Sequence, residues 1–133
     1  MKRIFTSLFL LILTICLDSC YGLSANEIFT NLNDSKEINC QTLPENVELV
    51  FESETIPFNY EKIGLIEVQG NQYSNEKEII LKLKNLAKSK CCDAIIGVKK
   101  NYLTRESGVM FEKDPPTVYS TISFNGIAVR KIK

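Results

Sequence analysis

The chain has 133 residues, room for one domain, and a globular composition with 44% hydrophobic and 24% charged residues. Its 16 basic and 16 acidic residues cancel, so we expect no nucleic-acid partner, because neutralising phosphates requires a basic excess. The absence of histidine removes the commonest general base and the commonest zinc ligand, so we expect neither an enzyme nor a metal site, and no cofactor.

The amino-terminal segment has the pattern of an export signal. Lys2 and Arg3 precede an apolar run from Ile4 to Leu17. The run is shorter than the roughly 20 residues that a membrane-spanning helix needs, and its length is typical of the apolar region of a signal peptide. An uncleaved membrane anchor is the alternative interpretation.

The four residues L-D-S-C, ending at Cys20, resemble the lipobox of bacterial lipoproteins, with Asp18 as a departure from the usual small or apolar residue. The resemblance implies that residues 1–19 are a lipoprotein signal peptide and that Cys20 becomes lipidated. Acyl chains on this cysteine would anchor the protein to a membrane. The alternative is ordinary secretory cleavage near Gly22 or Ala25, which leaves a soluble protein.

Residues 20–44 are polar, rich in Asn and Ser, and without a sustained period, so we predict a tether that separates the domain from the bilayer. Within it, Ala25–Leu32 is compatible with a weak helical turn. Tyr21 follows the lipobox cysteine, and under the enterobacterial sorting rule a residue other than Asp there permits passage to the outer membrane. We therefore expect a location in the cell envelope, on the outer membrane, facing the periplasm.

A strand–helix–strand segment forms the centre of the predicted domain. Alternating residues predict a first strand at Val47–Phe51, and a second strand begins at Ile63. A helix follows, with Asn75 as its N-cap and its end near Lys90, and then an apolar central strand at Ala94–Val98. Such a segment normally connects two parallel strands. The predicted apolar stripe of the helix consists of Ile79, Ile80, Leu83, Leu86 and Ala87.

In the last part of the chain, the sequence pattern predicts a connecting segment and then one more strand. Tyr102–Pro116 is interpreted as a loop or a loose hairpin arm, and Val118–Lys133 as the final strand with a break at Asn125–Gly126. The expected domain, residues 45–133, is therefore α+β with two layers. One long helix packs on a mixed four-stranded sheet in the order β-β-α-β-β.

Five cysteines limit the possible cross-links. Loss of Cys16 with the leader and lipidation of Cys20 would leave Cys40, Cys91 and Cys92, an odd number in an oxidising compartment. A disulfide from Cys40 to Cys91 or Cys92 would link the tether to the domain. Buried structural thiols, a vicinal Cys91–Cys92 bond and a soft-metal site of three thiolates remain as alternatives. The sequence contains no C-x-x-C motif, so it lacks the signature of a thioredoxin-like redox site.

Three packing motifs resemble those of the YbjQ-type "heavy-metal-binding" domains and, more distantly, of the RcsF-like envelope lipoproteins. They are I-G-L-I-E-V-Q-G at 63–70, L-A-x-x-x-C-C-D-A-I-I-G-V at 86–98 and F-N-G-I-A-V-R at 124–130. The resemblance implies a small α/β module. It also implies that Cys91 occupies the family's C-cap glycine position, at a cost of about 1 kcal/mol unless a disulfide compensates.

The functional expectation is a lipid-anchored envelope protein whose domain binds, assembles or signals without catalysis. Its partner would be another envelope protein or a second copy of the chain, besides the membrane itself. The alternative is a soft-metal or redox-responsive binder that uses Cys91, Cys92 and Cys40.

Overall fold

The protein folds as one helix on a mixed five-stranded sheet, and the computed structural model describes residues 25–32, 40, 42–107 and 117–132. In the described part, no helix has the length and hydrophobicity that crossing a bilayer requires. The elements are β1 (Asn26–Asn31), β2 (Glu48–Phe51), β3 (Tyr60–Gln69), α1 (Glu76–Ser89), β4 (Ala94–Ser107) and β5 (Thr117–Lys131).

The strand order across the sheet is β1-β3-β5-β4-β2. The pair β2/β4 is parallel, whereas β1/β3, β3/β5 and β4/β5 are antiparallel. Because β3 and β4 are both antiparallel to β5, they run parallel to each other, which confirms the orientation predicted from the strand–helix–strand segment. The two strands are not adjacent, since β5 lies between them.

The expected class, α+β with one helix on a mixed sheet, is confirmed, but the predicted number of four strands is wrong. The additional strand is β1, at residues 26–31 within the predicted tether, and the weak helical turn predicted for Ala25–Leu32 is also wrong. β1 pairs with β3, and Phe29 packs against the core. Gly64 makes room for it, because a Cβ there would approach the carbonyl oxygen of Thr30 to 2.7 Å, besides meeting the Phe29 ring.

The connection predicted at Tyr102–Pro116 is a strand as far as Ser107, and residues 108–116 lie outside the described part. β5 runs from Thr117 to Lys131 without the break predicted at Asn125–Gly126. The irregularity lies opposite, in β4, where the register with β5 shifts between Ile96 and Lys99. Gly97 has φ +62° in this bulge, a conformation that glycine adopts without strain.

The local signals for α1 are confirmed. The side-chain oxygen of Asn75 accepts a hydrogen bond of 2.9 Å from the backbone N–H of Glu78, which caps the first turn. Ile79, Leu83 and Ala87 are fully buried against the sheet. A second, smaller apolar cluster lies on the other face of the sheet, where Phe58 and Tyr60 pack against it. Its buried members are Val50, Ala94, Ile96 and Val129.

Candidate functional site

The candidate site is the group of cysteines at the carboxyl end of α1. The N–H of Cys91 donates to the carbonyl oxygen of Lys88, and the N–H of Cys92 donates to that of Ala87, both at 3.0 Å. This pair of bonds is the Schellman ending of a helix, in which the residue after the C-cap adopts a left-handed conformation. Lys90 is the C-cap, so the left-handed position falls on Cys91.

Cys91 has φ +60° and is the one residue other than glycine with positive φ among the described residues. A side chain in this conformation costs on the order of 1 kcal/mol relative to glycine. The cost is tolerated at a position whose side chain makes a specific contact. The contact here is with the sulfur of Cys40.

Cys40 and Cys91 lie in the bonding arrangement of a disulfide, with Cα atoms 5.7 Å apart, which is within the usual range. The pair closes a loop of sequence separation 51. The sequence left open whether Cys91 or Cys92 faces Cys40, because the two are neighbours. In the structure Cys91, in its left-handed turn, is the residue that lies against Cys40, and the side chain of Cys92 belongs to the core cluster.

Cys92 is fully buried in the core between the helix and the sheet. Its Sγ lies 3.4 Å from the carbonyl oxygen of Lys90, to which the thiol donates. Burial raises the pKa of Cys92 to about 11, although Arg130 opposes the shift and Asp93 adds to it. The group is therefore a neutral thiol at physiological pH, and a neutral thiol is a poor nucleophile and a poor metal ligand.

Residues of two strands, β5 and β1, hold the cysteine segment in place. Arg130, near the end of β5, donates from Nε to the carbonyl oxygen of Cys91 at 3.4 Å. The backbone N–H of Lys131 donates to Oδ2 of Asp93 at 3.1 Å. On the other side, Nζ of Lys90 lies 5.5 Å from the centre of the Phe29 ring on β1. The segment at the end of α1 is thus linked to a central strand, β5, and to an edge strand, β1.

This geometry suits a structural link better than a reactive centre. Within residues 25–32, 40, 42–107 and 117–132, no three His, Cys, Asp or Glu side chains come together in metal-binding position. A site of three thiolates would require the Cys40–Cys91 pair to be reduced and Cys92 to leave the core. Both steps cost free energy that metal binding would have to repay.

The sequence analysis missed a row of polar side chains on the sheet face opposite α1. Arg105 donates to Gln69, and Gln69 donates to Glu67 at 2.8 Å. Ser123, which pairs across the sheet with Gln69, is fully buried, and its hydroxyl has no hydrogen-bond partner in the described part of the chain. Alternate polar positions along β3 and β5 were the available signal, but they are equally typical of a solvated sheet face.

Cys20, the predicted lipidation site, lies outside the described residues together with the whole segment 1–19. Comparisons with protein-family models, with curated proteins and with solved structures find no match to this chain.

Proposed function

We propose that the chain is a lipid-anchored bacterial envelope protein, held on the outer membrane through Cys20 and facing the periplasm, with a domain that binds, assembles or signals without catalysis. The observation that carries the proposal is the Cys40–Cys91 pair. Disulfides persist in oxidising compartments and are rare in the cytosol, so the pair supports export. The basic and apolar leader that ends at the L-D-S-C motif indicates the same route.

The resemblance to YbjQ-type and RcsF-like domains gives independent support. Its motifs fall on β3, on the end of α1 with the start of β4, and on β5, which are the parts that enclose the core. The position directly after the C-cap, at which the family has glycine, is the left-handed Cys91. We propose membership of this group on these residues, and such a likeness supports a fold more than an activity.

A binding role fits the surface charges that the structure describes. Lys100 pairs with Glu76 at 2.6 Å, and Lys131 pairs with Glu48 at 2.5 Å. The hydrogen bond to Glu76 raises the pKa of Lys100, which keeps this ammonium group charged. Each of these ion pairs carries no net charge that would attract phosphates or other anions. A surface of this kind is compatible with a domain that contacts other proteins.

Metabolic labelling with palmitate in a bacterial host tests the lipid anchor, and Cys16→Ser is the matched control. We expect label on the wild-type protein and on Cys16→Ser, because the L-D-S-C motif is intact in both. Cys20→Ser should lose the label and remain an unprocessed precursor. Equal labelling of Cys20→Ser and wild type, or no label on either, would contradict the proposal.

The second candidate function is a soft-metal or redox-responsive binder, favoured by the position of Cys92 next to the Cys40–Cys91 pair. Thiol titration of the purified protein distinguishes the two. The structural interpretation predicts no reactive thiol in the native protein, one after unfolding, and three after unfolding with reductant. The binder predicts three reactive thiols in the native protein and stoichiometric uptake of Cu(I).

A further inference from the structure

Among the described residues, none pairs with the outer edge of β4 over more than half of the strand. β2 pairs with β4 from Ala94 to Val98, where the N–H of Glu52 makes the last contact with the Val98 carbonyl oxygen. Among the described residues, no strand lies beside this edge from Lys99 to Ser107. A long open edge presents unpaired N–H and C=O groups that can accept a further strand.

The hydrogen bonds of β5 show which backbone groups of β4 point outward. The carbonyl oxygen of Ile122 accepts from the N–H of Gly70, so the polar backbone groups of Ile122 point toward β3. In an antiparallel strand pair, two residues directly opposite each other direct their backbone N–H and C=O groups either both toward each other or both away. The residue of β4 opposite Ile122 therefore directs its backbone groups away from β5. Tyr102 is opposite Ile122, so its N–H and C=O face the open edge. The same holds, by alternation, for Lys100, Thr104 and Glu106.

We propose that this edge binds a second copy of the chain, with the two β4 strands antiparallel and the two-fold axis at Leu103. In this register, residues whose backbone N–H and C=O groups face the open edge lie opposite one another, namely Lys100 with Glu106 and Tyr102 with Thr104. Antiparallel residues that face each other in this way exchange two hydrogen bonds per pair. The two sheets would form one continuous sheet across the dimer.

Charge complementarity identifies the second copy as the occupant. In the proposed register each Lys100, whose ammonium group also pairs with Glu76 of its own chain at 2.6 Å, lies opposite Glu106 of the second copy, and symmetry makes this pair twice. Opposite charges directly across a strand pair are stabilising, and like charges are destabilising. The arrangement also covers part of Tyr102, whose side chain is 72% exposed in the single chain. Such contacts are typical of self-complementary, two-fold interfaces.

The inference goes beyond the proposed envelope function, which does not specify a partner, and it does not depend on lipidation. Leu103 is the residue that would face itself across the axis. It would form a pair without hydrogen bonds across the interface, in which the side chains approach closely. A cysteine at this position should therefore cross-link two copies.

The test compares Leu103→Cys with Leu81→Cys in the full chain, expressed in bacteria and treated with a mild oxidant before non-reducing electrophoresis. Leu81 is a matched control because it is a leucine on the exposed side of α1, 58% accessible, and lies on a different element from the proposed interface. We expect a covalent dimer for Leu103→Cys and little for Leu81→Cys. Equal yields, no dimer for Leu103→Cys, or a cross-link to a different protein would overturn the proposal. The failure of palmitate labelling would not affect this result.

Charge reversal in the Leu103→Cys background tests the register. Glu106→Lys should lower the dimer yield by roughly five- to tenfold, because two like-charged pairs replace two opposite ones. The double change Lys100→Glu with Glu106→Lys should restore part of the yield, because it brings back opposite charges across the interface but removes the ion pair of Lys100 with Glu76. Thr104→Pro should abolish the dimer while circular dichroism stays unchanged, because the lost N–H points to the open edge. Equal yields in all these variants would overturn the register.

Discussion

At the scale of single residues, Cys91 combines an unfavourable backbone conformation with a cross-link. Its φ of +60° at the helix end would suit glycine. The bond to Cys40 stabilises the folded state by restricting the unfolded chain, typically by about 2–4 kcal/mol. This gain exceeds the cost of about 1 kcal/mol for a side chain in the left-handed region, so cysteine is favourable here.

Two double variants separate the cross-link from the backbone cost. Cys40→Ala with Cys91→Ala should lower the free energy of unfolding by about 2–4 kcal/mol relative to the oxidised wild type. Cys40→Ala with Cys91→Gly should be about 1 kcal/mol more stable than the first variant, because glycine has no strain there. Urea denaturation of the mature protein in mild detergent measures both. Equal stability of the two variants would contradict the strain at Cys91.

Cys92 predicts a specific dependence of stability on pH. Its pKa is about 11 in the folded protein against an ordinary value of 9.0, so the folded state keeps the proton where the unfolded state loses it. The contribution of this thiol to the free energy of unfolding is fully present below pH 9. It is lost as the pH rises toward 11, and the loss is at most roughly 2–3 kcal/mol.

Urea midpoints between pH 7 and pH 11 test this dependence, with Cys92→Ala as the comparison. Substitution should lower stability at pH 7 because it leaves a cavity, and the difference from wild type should shrink as the pH rises. Other titrating groups are common to both proteins and cancel. A difference that stays constant up to pH 11 would show that the thiol ionises normally in the folded protein.

The sequence predicted part of this site and not the rest. The end of α1 was predictable because the apolar stripe stops before Lys90, and the resemblance to YbjQ-type domains placed Cys91 at the strained glycine position. The choice of Cys91 as the partner of Cys40 was not predictable, since the separations of Cys91 and Cys92 from Cys40 differ by a single residue. Only the left-handed turn distinguishes their directions, and it turns the Cys92 side chain into the core.

At the scale of elements, prediction succeeded where the signal is local. Helix α1 and the strands β2 and β3 have clear periodicity, and all three are present near the expected residues. β1 was not predicted because only two of its six residues, Ile28 and Phe29, are apolar. Its stability comes from pairing with β3, which is distant in the sequence. The second half of β4 was not predicted as a strand because it is rich in polar and charged residues.

Gly64 tests how β1 is held on the sheet. A Cβ at this position would meet the Phe29 ring and the Thr30 carbonyl oxygen. Gly64→Ala should therefore displace β1, lower stability by roughly 1–3 kcal/mol and speed hydrogen exchange of the β1 amides. Gly97→Ala is the control: it should cost about 1 kcal/mol, because of positive φ alone, and leave the β1 amides protected. Unchanged exchange in Gly64→Ala would contradict this packing.

At the scale of the whole molecule, β1 and the Cys40–Cys91 pair make parts of the predicted tether, residues 26–31 and Cys40, components of the folded domain. With Cys20 lipidated, the chain would have only residues 21–25 between the anchor and β1. Six residue steps from Cys20 to Asn26 span at most about 20 Å. The domain would therefore lie close to the bilayer surface, and its binding faces would be presented to partners on the same membrane.

Mass spectrometry of the intact protein, extracted from membranes without reductant, tests the central claim most directly. The account predicts a chain that begins at Cys20 with acyl chains attached, a proteolytic peptide pair joined through Cys40 and Cys91, and an unmodified thiol at Cys92. An amino terminus elsewhere without lipid, or Cys40 and Cys91 recovered as free thiols, would contradict the account.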